Sequence, residues 1–301
     1  GGAAVLPRSG SMGYLFLLGL LLPGCPFTGY DASAHTSEET KRAALSVPQS
    51  MVSSVLWSSL AGWAMLCAIV LAIPDMAAGA KQGWAVFFET MNAIMPASVK
   101  MILFVAIFLA QWLCGLATVT SASRMLFAFS RDGGMPAGSA ALAKVSPQYR
   151  TPVNAIWAVA AFEILYVFLA QFVSIGGTNL YTIVVNSTLV FLFLSFIIPI
   201  VLGMMAYGTP KWPNPGPWAM RAGLFKLMCV LSVVGMAVIF FIAVQPPNDK
   251  VLWIVIGFVV LTAFLWFAFE NKRFAGPPIG EEIKKRAAAI AAAERAVGEA
   301  G

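Results

Sequence analysis

From Ile164 to Pro210 the chain carries no Asp, Glu, Lys or Arg. The hydrocarbon core of a bilayer is about 30 Å thick and takes about 20 apolar residues in a helix. This run is long enough for two crossings, and Gly176-Gly177-Thr178-Asn179 supplies a turn signal between them. Met51 to Pro74, Met101 to Ser123, Leu227 to Asn248 and Val251 to Phe269 are equally free of charge. Tyr14 to Tyr30 is apolar but shorter, and Pro23-Gly24-Cys25-Pro26 interrupts it. Charged residues make up 11% of the 301, whereas a soluble domain carries about 25%. That excludes a soluble globular fold.

The pattern predicts an all-α membrane protein of about seven transmembrane helices, near 14–45 (broken), 51–74, 98–130, 152–174, 178–207, 224–244 and 250–270. Residues 1–13 read as the remnant of an extracellular loop and 271–301 as a cytoplasmic tail rich in alanine and charge. Gly83 to Ile94 reads as a short amphipathic helix lying across an outer face. Thr151-Pro152 is a helix start, with Thr151 as N-cap and proline at the first helical position. Arg131-Asp132-Gly133-Gly134-Met135-Pro136 is a helix stop.

Lys and Arg alternate by loop. Lys41, Arg42, Arg124, Arg131, Lys144, Arg150, Lys211, Arg221, Lys226, Lys272, Arg273, Lys284, Lys285, Arg286 and Arg295 fall on one side; Arg8, Lys81, Lys100 and Lys250 fall on the other. The positive-inside rule places the first set, and the C-terminus, in the cytoplasm. The net charge of +6 therefore reports topology and not a nucleic-acid partner. Four cysteines without metal-ligand spacing and a single histidine, His35, point to no metal, no cofactor and no disulfide framework. The N-terminus lacks a methionine start and the features of a cleaved signal.

Leu22 to Asp31 is the most informative stretch. Two prolines and two glycines remove amide donors and favour unwinding. Inside a bilayer, non-helical backbone is tolerated only within protein or beside a water-filled cavity. Transporters use such breaks to hold substrates and ions; the plainer reading is a loop before a shorter span.

Phe27-Thr28-Gly29-Tyr30-Asp31-Ala32-Ser33-Ala34-His35, followed by Ser37-Glu38-Glu39-Thr40, resembles the sixth helix of amino acid permeases of the amino acid–polyamine–organocation superfamily, in its GABA- and choline-permease-like branch. Ser123-Arg124-Met125-Leu126-Phe127-Ala128-Phe129-Ser130-Arg131-Asp132-Gly133-Gly134-Met135-Pro136 resembles the end of that family's eighth helix, and Thr151-Pro152-Val153-Asn154-Ala155 the start of its ninth. The resemblance implies the second inverted repeat plus the last two helices of the leucine-transporter-type fold, without the first five helices. It implies a secondary active transporter, not an enzyme, moving an amino acid or related amine with H+ or Na+ as coupling ion across the plasma or cell membrane. Substrate binding would fall on Phe27, Thr28, Gly29, Tyr30 and Asp31.

Asp31 and His35, four apart, share a helix face. A gate or relay is one reading; the favoured one makes Asp31 an N-cap and His35 a packing residue. Glu38 is a gate candidate or part of an ordinary solvated helix end. Thr118, Thr120 and Ser121 are candidate ion ligands by resemblance, although hydroxyls in membrane helices often bond to their own backbone. Glu163 is the one acid well inside a span. Placing it at the bilayer centre costs roughly 2.5–3.5 kcal/mol on insertion scales, so it should face the bundle interior. Two other readings remain. One is an inactive truncated permease. The other is a seven-helix receptor-like protein, of which the retinal-binding kind needs a lysine that Val251 to Phe269 lacks.

Overall fold

The computed structural model describes residues 11–19, 28–83, 85–175, 178–210, 212, 216–245 and 249–274, with isolated positions 285, 288, 289 and 292 in the tail. In chain order these form α1 (Met12–Gly19), α2 (Ala32–His35), a 3-10 turn (Ser37–Glu39), α3 (Ala43–Ala72), α4 (Met76–Gln82) and α5 (Ala85–Ile94). There follow α6 (Ala97–Arg131), α7 (Ser139–Leu142), α8 (Val153–Phe172), strands β1 (Ser174–Ile175) and β2 (Thr178–Asn179), and α9 (Leu180–Ala206). The chain continues through α10 (Ala222–Ala243), α11 (Asp249–Leu265), a π-helical turn (Trp266–Glu270) and α12 (Asn271–Arg273).

Among the described residues six helices are long and apolar enough to cross a membrane: α3, α6, α8, α9, α10, and α11 with its continuation to Arg273. Their surfaces are apolar too. Trp57, Phe108, Trp157 and Phe162 are all exposed. Contiguous apolar surface on this scale cannot face water, and helices close their own backbone hydrogen bonds as hydrocarbon demands. The protein is thus a multi-pass integral membrane protein. The region expected as a broken first span appears in pieces: α1, then a turn over Thr28–Asp31, α2 and the 3-10 turn. The Pro23–Phe27 part of the break lies outside the described residues.

Several boundaries differ from the sequence reading, and three have a clear local cause. Helix α3 begins at Ala43 and carries Pro48 inside it. So near a helix start, a proline forfeits only one backbone bond. Asp75 starts α4, which periodicity alone does not mark; its Oδ1 accepts from the amides of Ala77 (2.8 Å) and Ala78 (3.2 Å). Helix α8 starts at Val153, one residue later than expected, with the Pro152 carbonyl accepting from the Ile156 amide at 3.0 Å. After α8 comes a minimal antiparallel pair, Ser174 opposite Asn179 and Ile175 opposite Thr178.

Residues 1–118 and 167–256 form one compact unit, and residues 119–166 and 257–301 a second. In the first, α9 and α10 pack along their lengths. Val190, Ala243, Val251 and Val255 make the core there, with Phe191, Leu194 and Phe240 against it. Their loop is tied by Tyr207, whose ring stacks on Phe225 at 4.1 Å between centroids and meets Trp212 edge-on at 5.5 Å.

In the second unit the stop of α6 is a Schellman motif. The Gly134 amide donates to the Phe129 carbonyl (2.8 Å) and the Gly133 amide to the Ser130 carbonyl (3.1 Å), with Gly133 at φ +81°. A Cβ on Gly134 would sit 2.3 Å from the Phe129 ring, so only glycine fits beside it. Asn154 Nδ2 donates to the Ala141 carbonyl at 2.8 Å, fixing α7 to the start of α8.

Candidate functional site

The Thr28–Asp31 turn is positioned by Gly29, at φ +91°. That region is costly for any residue with a Cβ. Among the described residues nothing lies within 4 Å of where a Gly29 Cβ would be. The Gly29 carbonyl accepts from the Ala32 amide at 3.1 Å, which starts α2. Tyr30 is half-buried, with its ring 5.8 Å from that of Phe196 on α9. Thr28 is half-buried beside them, and Phe27 lies outside the described residues.

Asp31 occupies the N-cap position of α2 but makes no capping hydrogen bond. This corrects the favoured sequence reading. Its Oδ2 lies 3.3 Å from His35 Nε2, one turn on, and both side chains are partly buried. The reason is local: Asp31 already has right-handed helical backbone (φ −75°, ψ −8°). A capping residue ordinarily stands in extended backbone, from which its carboxylate can reach back to the free amides. Glu38 is exposed on the 3-10 turn.

Thr118 belongs to the first unit and Thr120, Ser121 and Glu163 to the second. The exposed Thr118 hydroxyl donates to the Cys114 carbonyl one turn back, at 3.0 Å. Thr120 and Ser121 are half-buried, and the Thr120 carbonyl accepts from the buried Ser123 hydroxyl at 2.9 Å. Glu163 is half-buried in the middle of α8, with no hydrogen bond or ion pair among the described residues. The structure therefore brings Thr28, Gly29, Tyr30, Asp31 and His35 together in one turn. Sequence reasoning missed Phe196; its contact with Tyr30 spans distant chain segments and leaves no local signal.

The family model for "Amino acid permease" matches residues 3–265. The chain belongs to the amino acid permease family. Similar relatives include the amino-acid permease BAT1 of Arabidopsis thaliana, 31% identical over 284 residues (89% of this chain, 53% of the relative). Its homolog in Oryza sativa is 32% identical over 248 residues (79% and 46%). Amino-acid permease 2 of Neurospora crassa is 29% identical over 287 residues (88% and 49%). The chain spans about half the length of the curated relatives it matches. No solved structure matches it. Permeases of this family move solutes without making or breaking bonds, so the chain is not an enzyme.

Proposed function

We propose that the chain supplies one face of the substrate site of a secondary amino acid carrier of the GABA- and choline-permease-like branch, working in the cell membrane with its C-terminus in the cytoplasm. The substrate is an amino acid or related amine. Phe27, Thr28, Gly29, Tyr30 and Asp31 contact it, and movement is coupled to H+ or Na+. The carrying observation is Gly29 at φ +91°, with nothing among the described residues within 4 Å of where its Cβ would be. Backbone there approaches a ligand without a side chain between them. Family membership supports the same reading. Thr118, Thr120 and Ser121 are the proposed ion ligands, His35 and Glu38 the gate, and Glu163 an acid inside a span. A site between two repeats needs both faces. The 301 residues alone should therefore take up no amino acid in proteoliposomes and should do so when co-produced with a fragment carrying the first five helices.

The test is cysteine substitution at Thr28 in a background without the four native cysteines. A thiol reagent should label Thr28→Cys in the co-produced protein, and a transported amino acid should slow that labelling. Gly29→Leu should abolish uptake with normal membrane insertion. Labelling unaffected by every amino acid, or full uptake by Gly29→Leu, would remove the turn from the site.

A further inference from the structure

The last apolar helix ends in a groove that the transport reading does not use. A cavity of about 900 Å³ opens beside the π-helical turn. Phe129, Leu265, Trp266 and Phe269 give it apolar lining, and Lys272 and Arg273 line it too. All of these residues belong to the second unit. The π-helical turn over Trp266–Glu270 widens the helix here. Such turns insert into helices mostly at functional places.

The chemistry of the cationic lining is specific. Arg273 is already committed. Its Nη1 donates to the Gly133 carbonyl and its Nη2 to the Gly134 carbonyl, each at 2.9 Å, while Nε and Nη2 pair with Glu270. That accounts for four of the five guanidinium N–H donors and leaves one on Nη1. Glu270 neutralises the arginine charge. Lys272 is exposed and has no hydrogen bond or ion pair among the described residues. Among the described residues the groove therefore carries one uncompensated positive charge, beside aromatic and aliphatic surface at the end of a membrane-crossing helix.

We propose that this groove binds an anionic phospholipid, its acyl chain along Phe129, Leu265 and Phe269 and its phosphate on the Lys272 ammonium and the spare Arg273 N–H. One negative headgroup matches the one unpaired cation. A zwitterionic lipid brings its own cation to the same place and loses that match. Trp266 lines the same cavity, and tryptophan is favoured at membrane interfaces. Bound lipid braces the joint that Arg273 makes between α12 and the end of α6. The site is separate from the substrate turn, and its test needs no transport.

The purified chain in detergent is titrated with phosphatidylglycerol or phosphatidylcholine of equal acyl length, and bound lipids are counted by native mass spectrometry. Phosphatidylglycerol should bind more tightly by roughly fivefold, the effect of about 1 kcal/mol per basic residue at an anionic surface. Lys272→Glu should abolish that preference, and Lys226→Glu, outside the groove, should retain it. In a second arm, Phe269→p-benzoylphenylalanine should form a photo-adduct of lipid mass with phosphatidylglycerol. Equal affinity for the two lipids, or a preference that survives Lys272→Glu, overturns the proposal. So does a photo-adduct to the chain's own tail or to a second copy. Displacement of the lipid by sn-glycerol 3-phosphate at equal concentration would make this a soluble phosphate site and overturn it as well.

Discussion

The Tyr207 hydroxyl donates to the Met220 carbonyl at 2.6 Å and accepts from the Met220 amide at 3.0 Å. One side chain thereby satisfies both backbone groups of a residue across the loop between α9 and α10. Tyr207 is buried and Met220 exposed, so these bonds are partly shielded from water. Tyr207→Phe retains the stacking on Phe225 and removes both bonds. The net loss for a typical hydrogen bond is about 0.5–1.5 kcal/mol. The variant should melt at a lower temperature in detergent, and trypsin should cut the loop faster at Lys211. An unchanged melting midpoint and digestion rate would show that the loop is held by its rings alone.

The stop of α6 yields a rank order. Gly133 is at φ +81°, where an ordinary side chain is strained by about 1–2 kcal/mol and asparagine by less. Thermal stability should fall in the order wild type, Gly133→Asn, Gly133→Ala. The same order should appear in the Arg273 contact, because the Gly133 carbonyl is one of its two backbone acceptors. Equal stability of the asparagine and alanine variants would mean that the left-handed backbone is not what limits this position.

The long helices were legible because membrane crossing leaves a coarse signal: about twenty residues without charge, read without knowing any neighbour. The stop after Arg131 was legible for a local reason, since glycine at C′ is a backbone requirement. The Arg273 clamp was not. Its acceptors are backbone carbonyls near residue 133, and carbonyls have no sequence identity. Phe196 opposite Tyr30 was hidden in the same way. Asp31 was misread for a different reason. An acid before a helical segment supports both a cap and a pair with the residue four on. Only the backbone angle at Asp31 decides between them.

Loop charge makes a prediction about sidedness. Lys81 and Lys250 should face outside, and Lys144 and Lys284 the cytoplasm, because basic residues concentrate in cytoplasmic loops. Lys81 ends α4 and Lys144 follows α7, and both are exposed. Single cysteines at the four positions, without the native ones, are treated with an impermeant maleimide on intact cells. Positions 81 and 250 should label at once, and 144 and 284 only after permeabilisation. The reverse pattern would invert the orientation proposed for the carrier.

Glu163 gives the sharpest separation of stability from function. It sits half-buried in α8 with no partner among the described residues. An unpaired acid inside a span costs roughly 2.5–3.5 kcal/mol on insertion scales. Replacing it with an apolar residue should therefore stabilise the bundle. Glu163→Leu should raise the melting midpoint of the purified chain, whereas most substitutions inside a bundle lower it. In the co-produced carrier the same variant should lose gradient-driven uptake, the trade expected when a destabilising residue is retained for activity. A lowered midpoint would show that Glu163 holds a stabilising partner. A raised midpoint with full uptake would strike Glu163 as a functional intramembrane acid.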